Sequence, residues 1–173
     1  TINGSGQFSN STNLSGSTIG GPAPVFERTD GGSVLLADPG RPGFFVYTGQ
    51  NNQQLSNERF INDTSGTHAR TITDIETARV GSNDIAIVAS GSEYGVTSYV
   101  VSGNNATFAD KEGPSEGLGI MIPTDVEMVQ TGGKTYAIVA SEPNSGQSGA
   151  LSVLEVSSNG DLQPVDHITD TCY

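Results

Sequence analysis

The same short phrases return along this chain at a fixed spacing. Thr73-Asp74-Ile75-Glu76 recurs as Thr124-Asp125-Val126-Glu127, 51 residues later. Ala86-Ile87-Val88-Ala89-Ser90 recurs as Ala137-Ile138-Val139-Ala140-Ser141, again 51 residues on. Each apolar run is followed by a second strand-like segment, Gly95 to Val101 and Gly149 to Val156, and then by an Asn-rich turn. A more worn copy precedes them, with Val34-Leu35-Leu36-Ala37-Asp38, then Gly43-Phe44-Phe45-Val46-Tyr47, then Asn51-Asn52. A repeat of this period means that one supersecondary unit is stacked several times and buries its core against its neighbours.

The unit is built of strands. Val and Ile number 25 against 8 Leu, and Thr numbers 17, in a chain of 173 residues. Such side chains are stiff at χ1 and pack well on a pleated surface. No window carries apolar residues at helical spacing for three turns, so few helices are expected. Each unit reads strand, turn, strand, longer turn, strand, Asn-Gly-like turn, strand. Four short strands in about 50 residues is the blade of a β-propeller. The continuous run Ala86 to Ser90 suits a strand covered on both faces, which neighbouring blades would supply. The fourth strands are polar, as outer edges should be.

The expected fold is therefore an all-β partial propeller with three four-stranded blades. Residues 1–21 form an orphan outer strand and linker, with the strand at 6–14. Blade 1 spans 22–72, blade 2 spans 73–123 and blade 3 spans 124–173. A closed ring needs at least four blades. Three blades thus imply a longer propeller, or another copy or another chain that completes the ring. Terminal repeats otherwise expose apolar surface.

Charge narrows the partners. With 7 basic and 19 acidic side chains the net charge is −12, which argues against nucleic acid, because phosphate contacts need clustered Lys and Arg. No apolar run is long enough to span a bilayer. Few Lys, many Asn, Ser and Gly and a single cysteine, Cys172, suit a secreted bacterial protein, extracellular or at the cell surface.

The unit Asp125-Val126-Glu127, Gly132-Gly133-Lys134-Thr135-Tyr136-Ala137-Ile138-Val139-Ala140-Ser141, Leu151 to Val156 and Asn159-Gly160-Asp161-Leu162 resembles a known group. It is similar to the β-propeller repeats of secreted α-proteobacterial proteins that carry hemolysin-type (RTX) calcium-binding segments. The resemblance extends distantly to lactonase and YVTN propellers and covers roughly residues 22 to 171. It implies blades and, through the RTX association, Ca²⁺. The calcium-binding nonapeptide, Gly-Gly-x-Gly-x-Asp-x-apolar-x, is itself absent: Gly31-Gly32-Ser33-Val34 and Gly132-Gly133-Lys134-Thr135 both lack the glycine at its fourth position.

Candidate sites follow from the repeat. Asp74, Glu76, Asp125 and Glu127 recur at one place in two blades, and alternation puts each Asp and its Glu on one face. If they open the innermost strands, their oxygens could hold Ca²⁺ at the mouth of the channel. Alternatively, each Asp caps a turn or bonds a neighbouring blade's backbone. The first unit has Pro22-Ala23-Pro24 at this place, which breaks the ring. Arg41, Glu93 and Tyr94 lie on the longer loops between second and third strands, where ligands of a rigid scaffold are held. His68 and His167 fall at different places in their units and form no catalytic set, and no Gly-x-Ser-x-Gly elbow occurs. The expected function is a non-enzymatic interaction module in adhesion or surface assembly, with Ca²⁺ as its one candidate cofactor. The alternatives are a lactonase-like hydrolytic propeller and a structural subunit completed by another chain.

Overall fold

The computed structural model describes residues 25–38, 40–49, 55–116, 118–144 and 148–169. They form three four-stranded antiparallel sheets. Blade 1 contains β1 (Val25–Arg28), β2 (Ser33–Ala37), β3 (Gly43–Thr48) and β4 (Ser56–Asn62). Blade 2 contains β5 (Ile72–Val80), β6 (Asn83–Ser90), β7 (Gly95–Ser102) and β8 (Asn105–Glu112). Blade 3 contains β9 (Ile122–Thr131), β10 (Lys134–Glu142), β11 (Ala150–Val156) and β12 (Leu162–Thr169). Among the described residues the sole helical element is a 3₁₀ turn, Pro114–Glu116. No helix there is long and apolar enough to cross a membrane. The orphan strand expected at 6–14 lies outside the described residues.

Within each sheet the strands pair in chain order, so every connection is a hairpin. The turns take the residues their geometry demands. Gly132 and Gly133 have φ of 58° and 78°, the two positive values of a tight turn whose twist matches the flanking strands. At Gly31 the reason is proximity instead. Its N–H donates to Asp84 Oδ2 at 2.9 Å, and an added Cβ would lie 2.3 Å from that oxygen.

The innermost strands β1, β5 and β9 lie side by side, and the sheets fan out from them face to face. This is the arrangement of a partial β-propeller. One face of β6 sends Ala86 and Val88 into a core with Leu35, Ala37, Phe44 and Val46 of blade 1. Its other face sends Ile85, Ile87 and Ala89 into a core with Val126, Ala137, Val139 and Leu154 of blade 3. The blade-to-blade linker closes the second core with Leu118 and Ile120. An edge-to-face pair, Phe44 with Tyr99 at 5.1 Å, joins blades 1 and 2.

Polar ties repeat alongside the apolar contact. Asp74 Oδ2 accepts Val126 N–H at 2.9 Å, and Asp110 Oδ2 accepts Leu162 N–H at 2.9 Å. Ser98 Oγ donates to Gly160 O at 2.5 Å. On blades 2 and 3 a hydroxyl of the third strand also fastens the linker entering that blade. Thr97 Oγ1 bonds the His68 backbone, and Ser152 Oγ donates to Leu118 O.

The continuous-run expectation holds for β2 and β6 and fails for β10. After Asn83 every residue of β6 is buried. In β10 buried and part-exposed residues alternate, with Tyr136, Ile138 and Ala140 on the open side. The apolar sequence is nearly the same; the difference is that, among the described residues, no blade covers the second face of blade 3. Burial differences of this kind set the cost of truncation. Ile87→Ala is expected to destabilise the fold by about 2–5 kcal/mol. Ile138→Ala, at the same place in the next blade, should cost less than half as much. Urea unfolding of the two variants checks this, and equal costs would contradict an open face on blade 3.

Candidate functional site

Strand register brings carboxylates from three blades to one place. Glu27 stands opposite Leu35, Glu76 opposite Ile87, and Glu127 opposite Ile138. Leu35, Ile87 and Ile138 are equivalent residues of the second strands, so the three glutamates are equivalent too. They sit on the three adjacent inner strands, at the axis of the fan. The sequence register that put Pro22-Ala23-Pro24 here is corrected: the inner strand of blade 1 is Val25–Arg28 and it contributes Glu27. The reason is hairpin length. Eight positions separate Glu27 from Leu35, whereas eleven separate Glu76 from Ile87 and Glu127 from Ile138. A shorter first hairpin moved the glutamate out of the 51-residue spacing, so the spacing could not find it.

Asp74 and Asp125 extend the row on blades 2 and 3, and Val25 takes their place on blade 1. The Asp125 carboxyl stands close enough to that of Asp74 to act on it. Asp74 also accepts Val126 N–H, which is the backbone role its sequence allowed. Burial raises the Asp74 carboxyl above the ordinary range, and the Asp125 charge adds to the rise. Glu76 is half-buried and its pKa is pushed up to about 7. Desolvation is the largest cause, and the charges of Glu27, Glu127, Asp74 and Asp125 all act in the same direction. Glu27 has a neutral partner, since Thr77 Oγ1 donates to its Oε1 at 3.2 Å.

The row therefore crowds carboxylates together, and every charge that acts on Glu76 is another carboxylate. Among the described residues no three of His, Cys, Asp and Glu stand close enough to hold a metal ion as they are placed. Any cation here would need the glutamates to converge further.

The loop residues have other employment. Arg41 lies 5.5 Å above the Phe45 ring and 5.7 Å from the Phe60 ring, a double cation–π contact that covers blade 1. Glu93 Oε2 accepts Arg70 N–H at 2.9 Å and so holds the linker between blades 1 and 2. Tyr94 is exposed and takes a φ of 59°, unusual for a side chain other than Gly, Asn or Asp. His68 packs where Gly95 leaves room: a Cβ there would sit 2.4 Å from its ring. His167 lies on the exposed strand β12, opposite Ser152, whose hydroxyl is already spent on Leu118 O. Cys172 lies outside the described residues.

A cleft of about 510 Å³ opens beside the β5–β6 and β9–β10 turns, lined among others by Arg79, Gln130, Lys134 and Glu155. Both of its cations are already paired, Arg79 with Asp84 at 3.2 Å and Lys134 with Glu155 at 2.7 Å. It offers polar surface and no free charge to a ligand.

No protein-family model matches the chain, and no curated protein matches it. Among solved structures, a "putative 6-phosphogluconolactonase" from Bacteroides uniformis is similar, with a TM-score of 0.62 and 11% sequence identity. The likeness covers 87% of this chain and 43% of that one, so this chain spans less than half of its neighbour's length. At this identity the likeness shows the fold, which is propeller-like, and nothing of the chemistry.

The Glu76 shift has a consequence for stability. Between about pH 4.5, its ordinary value, and pH 7 the folded chain holds a proton that the unfolded chain has released. The Glu76 contribution to stability is therefore complete below pH 4.5 and is lost as pH rises toward 7. Glu76→Gln removes the charge at every pH. It should raise the melting temperature at pH 8 and flatten the fall between pH 5 and 7, as read by thermal denaturation. An unchanged slope in the variant would show that Glu76 is not crowded in the way described.

Proposed function

We propose that this chain is a non-enzymatic interaction module of a secreted bacterial protein, a set of propeller blades whose axis recruits cations, with Ca²⁺ the first candidate. One observation supports the reading: three equivalent glutamates, Glu27, Glu76 and Glu127, line adjacent inner strands, and the charges acting on Glu76 are all carboxylates. Crowded carboxylates repel one another, and a divalent cation relieves that repulsion. Ca²⁺ suits such a place because it accepts six to eight oxygens in flexible geometry, so partial convergence of the row suffices. The resemblance to RTX-associated propeller repeats points the same way. Adhesion or surface assembly is the matching role, and the composition favours an extracellular or surface location.

Millimolar Ca²⁺ is expected to raise the melting temperature by a few degrees, since about 1 kcal/mol of binding linkage moves a chain of this size by roughly 2–4 °C. EDTA should reverse the rise. Glu76→Gln combined with Glu127→Gln should abolish it. A wild-type melting temperature that ignores Ca²⁺ would remove the cation from the proposal.

A second reading, a lactonase-like hydrolytic propeller, is favoured by the solved neighbour alone. It requires turnover. Hydrolysis of a sugar lactone by the purified chain, lost in Glu76→Gln, would replace the first reading with this one.

A further inference from the structure

The interface between blades 2 and 3 is written a second time on the far side of blade 3. Blade 2 meets blade 3 through Ile85, Ile87, Ala89 and Val96, all fully buried. The strand registers place Tyr136, Ile138, Ala140 and Leu151 at the same positions of blade 3. There they are only partly covered, and Leu151 is 48% exposed.

The polar tie is repeated as well. Asp110 lies opposite Ser98, at a bulge in the β7–β8 ladder. Its Oδ1 accepts the next residue's N–H, from Lys111, at 2.9 Å. Its Oδ2 reaches across to Leu162 N–H of the following blade. Asp166 lies opposite Val153, at the matching bulge in the β11–β12 ladder. Its Oδ1 accepts His167 N–H at 2.8 Å, the same local geometry. Asp125 likewise stands where Asp74 stands on blade 2. One tie differs: Val153 replaces Ser98 and offers apolar contact in place of a hydroxyl.

We infer that this face of blade 3 is a docking surface for a fourth four-stranded blade of the same repeat. That blade places an apolar sheet face over Tyr136, Ile138, Ala140 and Leu151 and presents the N–H that begins its outer strand to Asp166. The neighbour's length agrees, because the matched part fills only 43% of it and the remainder exceeds what is matched. A second copy of this chain is a poorer occupant. It would have to offer the opposite face of its blade 1, where Val34, Leu36, Phe45 and Tyr47 are already at most 8% exposed. The inference names the partner of the proposed module, and it rests on that reading only for the fold; loss of cation binding leaves it standing.

The test adds a blade. Residues 113–169 are repeated in tandem after Thr169, so that a sheet known to fit blade 2 is offered to blade 3. Leu151→Cys in the original blade 3, combined with Cys172→Ser in the single chain, reports the face by its rate of reaction with a soluble thiol reagent. Labelling is expected to slow at least tenfold in the tandem chain, and Asp166→Asn should restore part of the rate. An unchanged rate overturns the inference. A second reporter, Val139→Cys in the added blade, reads whether that blade is folded. A reactive added blade beside an intact chain means that the face cannot hold it, which also overturns the inference. Slow labelling of the single chain that quickens on dilution, with a dimer by light scattering, would assign the face to a second copy instead.

Discussion

Everything in this structure depends on apolar contact between neighbouring sheets. A blade such as β5–β8 has two apolar faces and cannot bury either one by itself. Ile85, Ile87 and Ala89 need blade 3, and Ala86 and Val88 need blade 1. Each fully buried Ile or Val contributes on the order of 1.5–3 kcal/mol, so stacking decides whether a blade exists at all. The hydrogen bonds between blades act differently. A net bond adds only about 1 kcal/mol, but an unpaired buried donor costs more. Asp74, Asp110 and Ser98 therefore do less to hold the blades together than to set one angle and one register between them.

The same geometry explains where charge can be tolerated. The inner strands reach the axis, where water has access, so carboxylates survive there half-buried rather than being excluded. They are not without cost. Glu76 is held up near pH 7 by burial and by four like charges. Arg79 of β5 and Lys134 of β10 do not neutralise this row, since they pair with Asp84 and Glu155. The strain of crowding is kept at the axis and is not spread into the cores.

Much of this was legible before any coordinates. The 51-residue echo of Thr73–Glu76 and Ala86–Ser90 placed β5, β6, β9 and β10 correctly, because a repeat copies strand positions along with residues. Composition placed the polar outer strands, and β4 and β12 are largely exposed as expected. What the spacing could not reveal was anything that depends on hairpin length or on the neighbouring blade. Glu27 was hidden by a short β1–β2 hairpin. The half-covered face of β10 is not visible in its own sequence, which differs little from that of the fully covered β6; only the count of three blades pointed to it. Arg41 and Glu93 read as loop residues open to a ligand, but an aromatic pair and a linker N–H had claimed them. Such partners come from other parts of the repeat and leave no local pattern.

Asp74 links the two halves of the molecule's chemistry. It belongs to the axial carboxylate row, and its Oδ2 also fastens blade 3 through Val126 N–H. A cation held at the row, as proposed, would compete with Glu76 protonation and would act on the Asp74 and Asp125 carboxyls beside it. It would thereby act on the bond that sets the angle between blades 2 and 3. Asp125 occupies the same place relative to whatever covers blade 3. Occupancy of the axis and packing of the blades are then one equilibrium rather than two, and by linkage each must shift the other by the same free energy. In a propeller whose inner strands carry repeated carboxylates, a ligand held at the axis would therefore be coupled to the packing of the blades around it.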